Sequence, residues 1–222
     1  MKTGQKLVYV AFVAMLIGAF VTAHPIRVLA AEIAASASEI NPVKTGEMAP
    51  RFTVRTVDDE PFIFDPENLD APTILITFRG GWCPYCNLHL SELRNVIPEL
   101  QAKGINVYFL SGDRPELLYA SLKMETQNAI DGLGYTILSD AKIEAALALG
   151  IAFKVADDSV SRMEDRGTDL GESSMVNFQA LPVPAVYMID TSGKVVYSFV
   201  EADYKVRLPA QDLLDAAKAL AD

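Results

Sequence analysis

Residues 73–86 read TILITFRGGWCPYC: a short apolar run, two glycines and a Cys-x-x-Cys pair. The run Thr73–Phe78 is rich in β-branched and aliphatic residues and short, which predicts a central strand buried on both faces. The apolar residues that follow Pro84 recur at helical spacing, which predicts an amphipathic helix interrupted at Pro98. Ile105–Leu110 then reads as a second buried strand. Strand, helix and strand in this order predict a parallel βαβ unit with a right-handed crossover.

The rest of the sequence adds further strand and helix patterns to this unit. Apolar runs on either side of Asp58–Pro61 predict an N-terminal β-hairpin, and runs around Thr191–Lys194 predict another. Residues 152–181 are polar and acidic without a clear period, and we interpret them as an insertion or a lid. The alternation of the two patterns indicates an α/β protein. The other predicted elements are a helix that follows Arg114–Glu116 and runs to about Ile130, a strand at 135–138, a helix at 141–149 and a helix from Pro209 onward.

The first thirty residues are expected to lie outside the fold. Lysines precede the uncharged, mostly apolar run Leu7–Ala23, and small-residue cleavage patterns end at Ala23 and at Ala30. This order is typical of a secretory signal peptide at residues 1–30, and an uncleaved membrane anchor is the alternative. The protein is therefore predicted to be exported, to the periplasm.

One folded domain is expected at residues 46–222, after a flexible Ala- and Ser-rich tail at 31–45. The composition, 50% hydrophobic and 22% charged, is sufficient for a buried core. The formal net charge of -10 comes without a basic block, which argues against nucleic acid or an anionic membrane surface as the main partner. The protein is expected to contact a membrane only through an uncleaved N-terminal segment.

The chain has two cysteines, Cys83 and Cys86, and their spacing favours a redox-active pair. A structural disulfide is the alternative in an exported protein, but a bridge that closes so few residues removes little chain entropy. At the start of a helix, free backbone N–H groups and the helix dipole stabilise an anion. Cys83 is therefore predicted to be the nucleophile, with the lower pKa and the greater exposure. Cys86, one helical turn further, is predicted to resolve a mixed disulfide.

The residues around the pair are expected to shape a substrate site. Pro84 suits the first helical position, where its missing N–H costs nothing. Trp82 is predicted to form an apolar platform beside the sulfur, and Tyr85 to shape the mouth of the site. His89 is interpreted as a surface histidine, with a proton relay as the alternative, and Asp113–Arg114 as turn and cap residues.

Other uses of the pair are disfavoured by residue type. Haem attachment needs a histidine after Cys86, and Asn87 stands there. A closed zinc site needs four ligands, and the exported chain offers two cysteines, His89 and at most His24. No metal and no cofactor are therefore predicted. A non-catalytic metal-binding module built on Cys83, Cys86 and His89 is kept as a third hypothesis.

Three segments resemble one known family. Phe78–Leu88, FRGGWCPYCNL, is similar to the signature of the peroxiredoxin-like branch of the alkyl hydroperoxide reductase and thiol-specific antioxidant (AhpC/TSA) superfamily. Gly46–Phe52 is only loosely similar to its entry segment. Leu181–Asp190 is specifically similar to the strand that starts at a cis-proline in thioredoxin folds. The resemblance covers residues 42–222. It implies a thioredoxin-like three-layer sandwich with a central mixed sheet, an N-terminal β-hairpin and an acidic insertion before the cis-proline strand.

The resemblance also implies roles for single residues. Cys83 and Cys86 take the redox pair, Pro184 takes the cis-proline, and the Val183 backbone offers an edge to a bound partner. True peroxiredoxins carry a Thr or Ser where Cys83 stands, which makes Cys86 their peroxidatic equivalent, and an Arg where Pro184 stands. These differences remove groups that stabilise the reacting peroxide.

The leading hypothesis is therefore an antioxidant thiol–disulfide oxidoreductase in which Cys83 attacks and Cys86 resolves. Its expected partners are protein or small-molecule thiols and disulfides, and an electron-donor protein. A thiol-dependent peroxidase that reduces hydrogen or alkyl peroxides is the alternative, because of the family resemblance.

Overall fold

The computed structural model describes residues 32–220, and the predicted signal peptide at 1–30 lies outside this range. A seven-stranded mixed sheet forms the centre of the fold, and two further strands pair separately. The strands are β1 (Phe52–Arg55), β2 (Pro61–Phe64), β3 (Thr73–Phe78), β4 (Asn106–Ser111), β5 (Thr136–Ser139), β6 (Ala152–Lys154), β7 (Ala180–Pro182), β8 (Ala185–Ile189) and β9 (Val195–Val200). The α-helices are α1 (Pro84–Glu92), α2 (Ile97–Ala102), α3 (Met124–Ile130), α4 (Glu144–Ala148), α5 (Ser159–Glu164), α6 (Ser174–Phe178) and α7 (Ala210–Ala216). None of the helices within 32–220 has the length and apolar character needed to cross a bilayer.

The predicted βαβ unit is confirmed and sits in the interior of the main sheet. The strand order is β2-β1-β5-β4-β3-β8-β9, so β3 lies between a parallel neighbour, β4, and an antiparallel neighbour, β8. The crossover helix breaks after Glu92 into a 3₁₀ turn, Leu93–Asn95. Pro98 lies in the first turn of α2, where its missing N–H breaks no helical bond.

Two separate cores lie on the two faces of the sheet. Ile74, Ile76 and Phe78 of β3 pack against α1, α2 and α7. Leu75 packs on the opposite face, with Tyr187 of β8 and the residues of the N-terminal hairpin and α4. All six residues of β3 are buried, as predicted for a strand covered on both faces. The arrangement has the three layers that were expected.

Both predicted hairpins are present, and one predicted helix is divided. β1 pairs with β2 and β8 with β9, each antiparallel. In place of one helix from Glu116 to about Ile130, the chain forms a 3₁₀ turn, Pro115–Leu117, and α3. Between them the chain turns so that Ser121 Oγ donates to Asp113 Oδ2 at 3.0 Å. The spacing of the apolar residues gives no indication of this side-chain hydrogen bond.

The segment predicted as a flexible tail is instead bonded to the domain. Ala34 N donates to Ala152 O at 3.0 Å, and Lys154 N donates to Ala34 O at 2.8 Å, so Ala34 pairs with β6. Val43 N donates to Leu149 O at 3.1 Å. The prediction failed because these bonds come from backbone groups, to which an Ala- and Ser-rich composition gives no clue.

The acidic segment at 152–181 is ordered and contains β6, α5, α6 and β7. β6 and β7 form an antiparallel pair. Arg114 binds both carboxylate oxygens of Asp169, at 3.0 and 2.9 Å, and donates to Gly171 O at 2.6 Å. The elements were not predicted because each is too short to show a period. The small core that holds the segment together consists of Leu170, Met175 and Leu181.

Candidate active site

The two cysteines lie where β3 passes into α1, as predicted. Cys83 is the N-cap residue with extended backbone, and Pro84 follows in the first turn of the helix. Cys83 N donates to Gly80 O, and Cys86 N donates to Cys83 O, both at 3.1 Å. Both cysteines are thiols. The turn therefore places one sulfur at the helix start and the other one turn further.

Both sulfurs are more buried than the sequence indicated. Cys83 is 1% exposed and Cys86 is 0% exposed, so the order follows the prediction but the difference is very small. The neighbouring Pro84 and Tyr85 take the exposed positions at the start of α1. Of the two cysteines, Cys83 lines a cleft that opens to solvent.

The pKa values of the pair shift in opposite directions. The pKa of Cys83 falls to about 6, first because the Cys86 side chain hydrogen-bonds it, and further because the Cys86 N–H, Arg79 and Arg207 stabilise the anion against the cost of burial. Burial raises the pKa of Cys86 well above that of a free thiol, and the hydrogen bond to Cys83 raises it further. The predicted order of the two pKa values is confirmed. At neutral pH the pair therefore holds one negative charge, on Cys83.

Two arginines, neither of them predicted from the sequence, supply positive charge to the site. Arg79 Cζ lies 5.1 Å from the centre of the Trp82 ring and 4.6 Å from that of Tyr204. Arg207 Nη2 donates to Cys86 Sγ at 3.4 Å. Among the described residues neither arginine forms an ion pair with a carboxylate. Their charge is thus available to a thiolate or to a bound anion.

A buried carboxylate holds the loop that precedes the cysteines. Asp113 Oδ2 accepts hydrogen bonds from Gly81 N at 2.7 Å, from Ser121 Oγ at 3.0 Å and from Ser111 Oγ at 3.2 Å. Asn87 Nδ2 donates to Gly81 O at 2.5 Å, so both backbone groups of Gly81 are fixed by side chains. A side chain at position 81 would collide with Ser121, which explains the glycine. Asp113 was interpreted as a turn residue, and its positioning role was missed.

Replacing Asp113 by alanine is expected to destabilise the protein by about 3 kcal/mol, because it leaves the buried Gly81 N–H and two hydroxyl groups without an acceptor. Asp113→Asn keeps one amide oxygen as an acceptor and should cost less than half as much. Urea unfolding of both variants measures the difference. Equal losses for the two variants would contradict this role of the carboxylate oxygen.

A cleft of about 600 Å³ opens beside Cys83. One wall is formed by Trp82–Tyr85, which includes the three side chains predicted to contact substrate, and Tyr85 packs edge to face on Tyr204 at 5.6 Å. The other wall belongs to the acidic segment at 152–181, chiefly through α5 and the residues that follow it. The segment thus lines the cleft beside Cys83.

Val183 and Pro184, to which the family resemblance assigned the cis-proline site, are arranged differently from the prediction. The described part of the chain has no cis peptide bond, so the predicted cis Val183–Pro184 bond is wrong. Val183 is fully buried; its N–H donates to Ile151 O at 3.1 Å, and its C=O accepts from Thr77 Oγ1 at 2.8 Å. Pro184 O accepts from Glu201 N at 3.0 Å. Because these backbone groups are bonded inside the chain, Val183 offers no free edge to a partner.

His89 is buried and not on the surface, where it was predicted to lie. Its Nε2 lies 3.0 Å from Leu208 O, and burial lowers its pKa to about 4. The ring is therefore neutral at pH 7, with Nε2 as the donor. Within residues 32–220 no three His, Cys, Asp or Glu side chains are grouped as metal ligands, so the metal-binding hypothesis gains no support from His89.

Comparison with known proteins places these features in a family. Residues 45–198 match the model of the AhpC/TSA family. Peroxiredoxin Bcp of Escherichia coli (strain K12) is 27% identical over 113 residues, 50% of this chain and 67% of that protein. Thiol-disulfide oxidoreductase ResA of Bacillus thuringiensis (strain Al Hakam) is 19% identical over 166 residues, 75% of each chain. The crystal structure of a peroxiredoxin-like protein from Aquifex aeolicus superposes with a TM-score of 0.61 at 19% identity, over 81% of this chain and 89% of that chain, which confirms the thioredoxin-like α/β fold. Since the family model spans more than half of the sequence, this chain belongs to the AhpC/TSA family.

Proposed function

We propose that this chain is a thiol–disulfide oxidoreductase that acts through Cys83 and Cys86. One observation carries the proposal: the sulfur that lines the cleft has a pKa lowered to about 6, and the sulfur behind it has a raised pKa. A thiolate is the attacking species in disulfide exchange, and the second thiol stays protonated until it attacks in the second step. The relative named ResA is itself a thiol-disulfide oxidoreductase, in agreement with this assignment.

The exchange proceeds in two balanced steps. The Cys83 thiolate attacks one sulfur of a substrate disulfide, forms a mixed disulfide and releases the other sulfur as a thiolate. Cys83 then no longer carries the charge that raised the pKa of Cys86, and Arg207 at 3.4 Å stabilises the anion that forms when the Cys86 proton passes to the leaving group. Cys86 attacks the Cys83 sulfur and releases the second thiolate. Two electrons pass from the dithiol to the substrate, and an electron-donor protein must restore them.

Reduction of insulin by dithiothreitol tests this proposal, with turbidity as the readout. The native protein is expected to shorten the lag well below that of dithiothreitol alone. The control is the same protein with both cysteines alkylated, which should behave as if no protein were present. A native sample that leaves the lag unchanged would end this version of the function.

A second candidate, a thiol-dependent peroxidase, is favoured by the contact of Arg207 with Cys86. Cys86 is the cysteine that matches the peroxidatic position, and the relative Bcp is named a peroxiredoxin. Against this candidate, Cys86 is fully buried with a raised pKa, so little thiolate is available to attack a peroxide. The single tryptophan, Trp82, directly precedes Cys83, so its fluorescence is expected to follow oxidation of the pair. In a stopped-flow experiment, oxidation by hydrogen peroxide about 10³-fold faster than that of free cysteine would establish this candidate.

We also propose that the protein is exported to the periplasm. The support is the positive start and the apolar run Leu7–Ala23, followed by small-residue cleavage patterns. N-terminal sequencing of the protein from its natural host should find His24 or Ala31 first. Recovery of the protein from the cytoplasm with Met1 intact would contradict export.

A further inference from the structure

We propose that the cleft beside Cys83 selects small disulfides that carry carboxylate groups. The proposal rests on the thiol–disulfide function above and adds the class of substrate to it.

The cleft is positively charged in a protein that is acidic as a whole. Its lining includes three arginines, Arg79, Arg162 and Arg166, and no aspartate or glutamate. The chain overall has 29 acidic and 19 basic residues. Cations collected in one concave site next to the nucleophile attract anions to the place where they react.

The three arginines are largely free to bind a ligand. Within residues 32–220, Arg79 and Arg166 form no ion pair, and the Arg79 Nε is buried without a hydrogen-bond partner. Arg162 pairs with Asp158 at 3.1 Å, but both side chains are more than half exposed. An exposed pair of this kind is weak and exchanges readily for a ligand carboxylate.

The size and the remaining walls fit a small molecule. The volume of the cleft, about 600 Å³, lies within the range of small-ligand sites. Trp82, Tyr85 and Tyr204 line the cleft with aromatic surface, against which the hydrocarbon part of a ligand can pack. One ligand molecule would then place its carboxylate on an arginine and its disulfide bond at Cys83.

This arrangement removes an electrostatic obstacle to the reaction. An anionic disulfide and the Cys83 thiolate carry like charges and repel each other, as do the thiolate and the carboxylate of the leaving group. The arginines offset that repulsion while Cys83 forms the mixed disulfide and Cys86 completes the exchange. One protein dithiol and one disulfide give one protein disulfide and two carboxylate-bearing thiols.

Three disulfides of similar size and different charge test the proposal on the full protein. They are 3,3′-dithiodipropionate (anionic), bis(2-hydroxyethyl) disulfide (neutral) and cystamine (cationic), each mixed with reduced protein and followed through Trp82 fluorescence. Each rate constant is divided by that of 2-mercaptoethanol with the same disulfide, which removes intrinsic differences in reactivity. At low ionic strength the normalised rate for the anionic disulfide should exceed that for the cationic one about 10-fold. At 0.5 M salt the ratio should fall below about 3.

Charge-removing variants assign the selectivity to the cleft. Arg162→Gln combined with Arg166→Gln should lower the anionic-to-cationic ratio about 3-fold. Arg51→Gln removes one positive charge from an exposed side chain outside the cleft and should keep the ratio. Equal normalised rates for the three disulfides, or the same ratio in the double variant, would overturn the inference and leave the oxidoreductase function standing. If none of the three disulfides reacts faster with the reduced protein than with 2-mercaptoethanol, the oxidoreductase function itself would be overturned.

Discussion

Replacing Cys83 by serine is expected to lower insulin-disulfide reduction by about 10³-fold or more, to the rate of the uncatalysed reaction. The physical reason is that a serine hydroxyl stays protonated at neutral pH, so the cleft loses the anion that attacks a disulfide. The fold should persist, because oxygen for sulfur is a small change at a helix N-cap, where serine is a favoured residue. Insulin turbidity measures the rate, and circular dichroism checks the fold.

The matched control is Cys86→Ser, which keeps the attacking sulfur and removes the resolving one. This variant should complete one attack and stop at a mixed disulfide between Cys83 and the substrate. Mass spectrometry of the acid-quenched variant detects that adduct, and Cys83→Ser should show none. If the adduct formed instead on Cys86 in the Cys83→Ser variant, the roles would be reversed, as a peroxidase-like use of Cys86 would require.

The site could be located from the sequence because its position depends on local patterns. The buried run Thr73–Phe78, the two glycines and the helical spacing after Pro84 each act within a few residues. Together they place Cys83 at a helix start whatever the rest of the chain does. The parallel pairing of the two strands then follows from the right-handed crossover rule.

What the sequence could not predict depends on contacts between distant residues. Arg207 meets Cys86 across 121 positions, and Asp113 meets Gly81 across 32. Arg207 follows a strand and precedes a helix, in a stretch with no periodic pattern, so nothing local marks it as part of the site. His89 was misplaced for the same reason: the Leu208 carbonyl that accepts its hydrogen bond comes from the other end of the chain.

The thiolate absorbance at 240 nm is expected to rise in a first step centred near pH 6, with the amplitude of one thiolate. The step reports Cys83, whose pKa is lowered to about 6 from the ordinary 9.0, while Cys86 stays protonated to a much higher pH. Above the midpoint the anion predominates, so exchange should lose rate as the pH falls through 6. At pH 7 about nine-tenths of Cys83 is ionised, against about one in a hundred for a thiol of ordinary pKa.

Two variants separate the causes of this lowered pKa. The Cys86 side chain is its largest cause, so Cys86→Ala should raise the midpoint more than Arg79→Gln, which removes one nearby charge and should raise it by about 1 pH unit. Arg51→Gln is the matched control and should leave the midpoint in place. Cys83→Ser should abolish the step. A wild-type midpoint near 9 would remove the basis of the exchange mechanism, because Cys83 would then ionise no more readily than a free thiol. If the midpoint rose to about 9 in Cys86→Ala and stayed near 6 in Arg79→Gln, the hydrogen bond between the two sulfurs would account for the whole lowering of the Cys83 pKa. The arginines would then act only on the substrate.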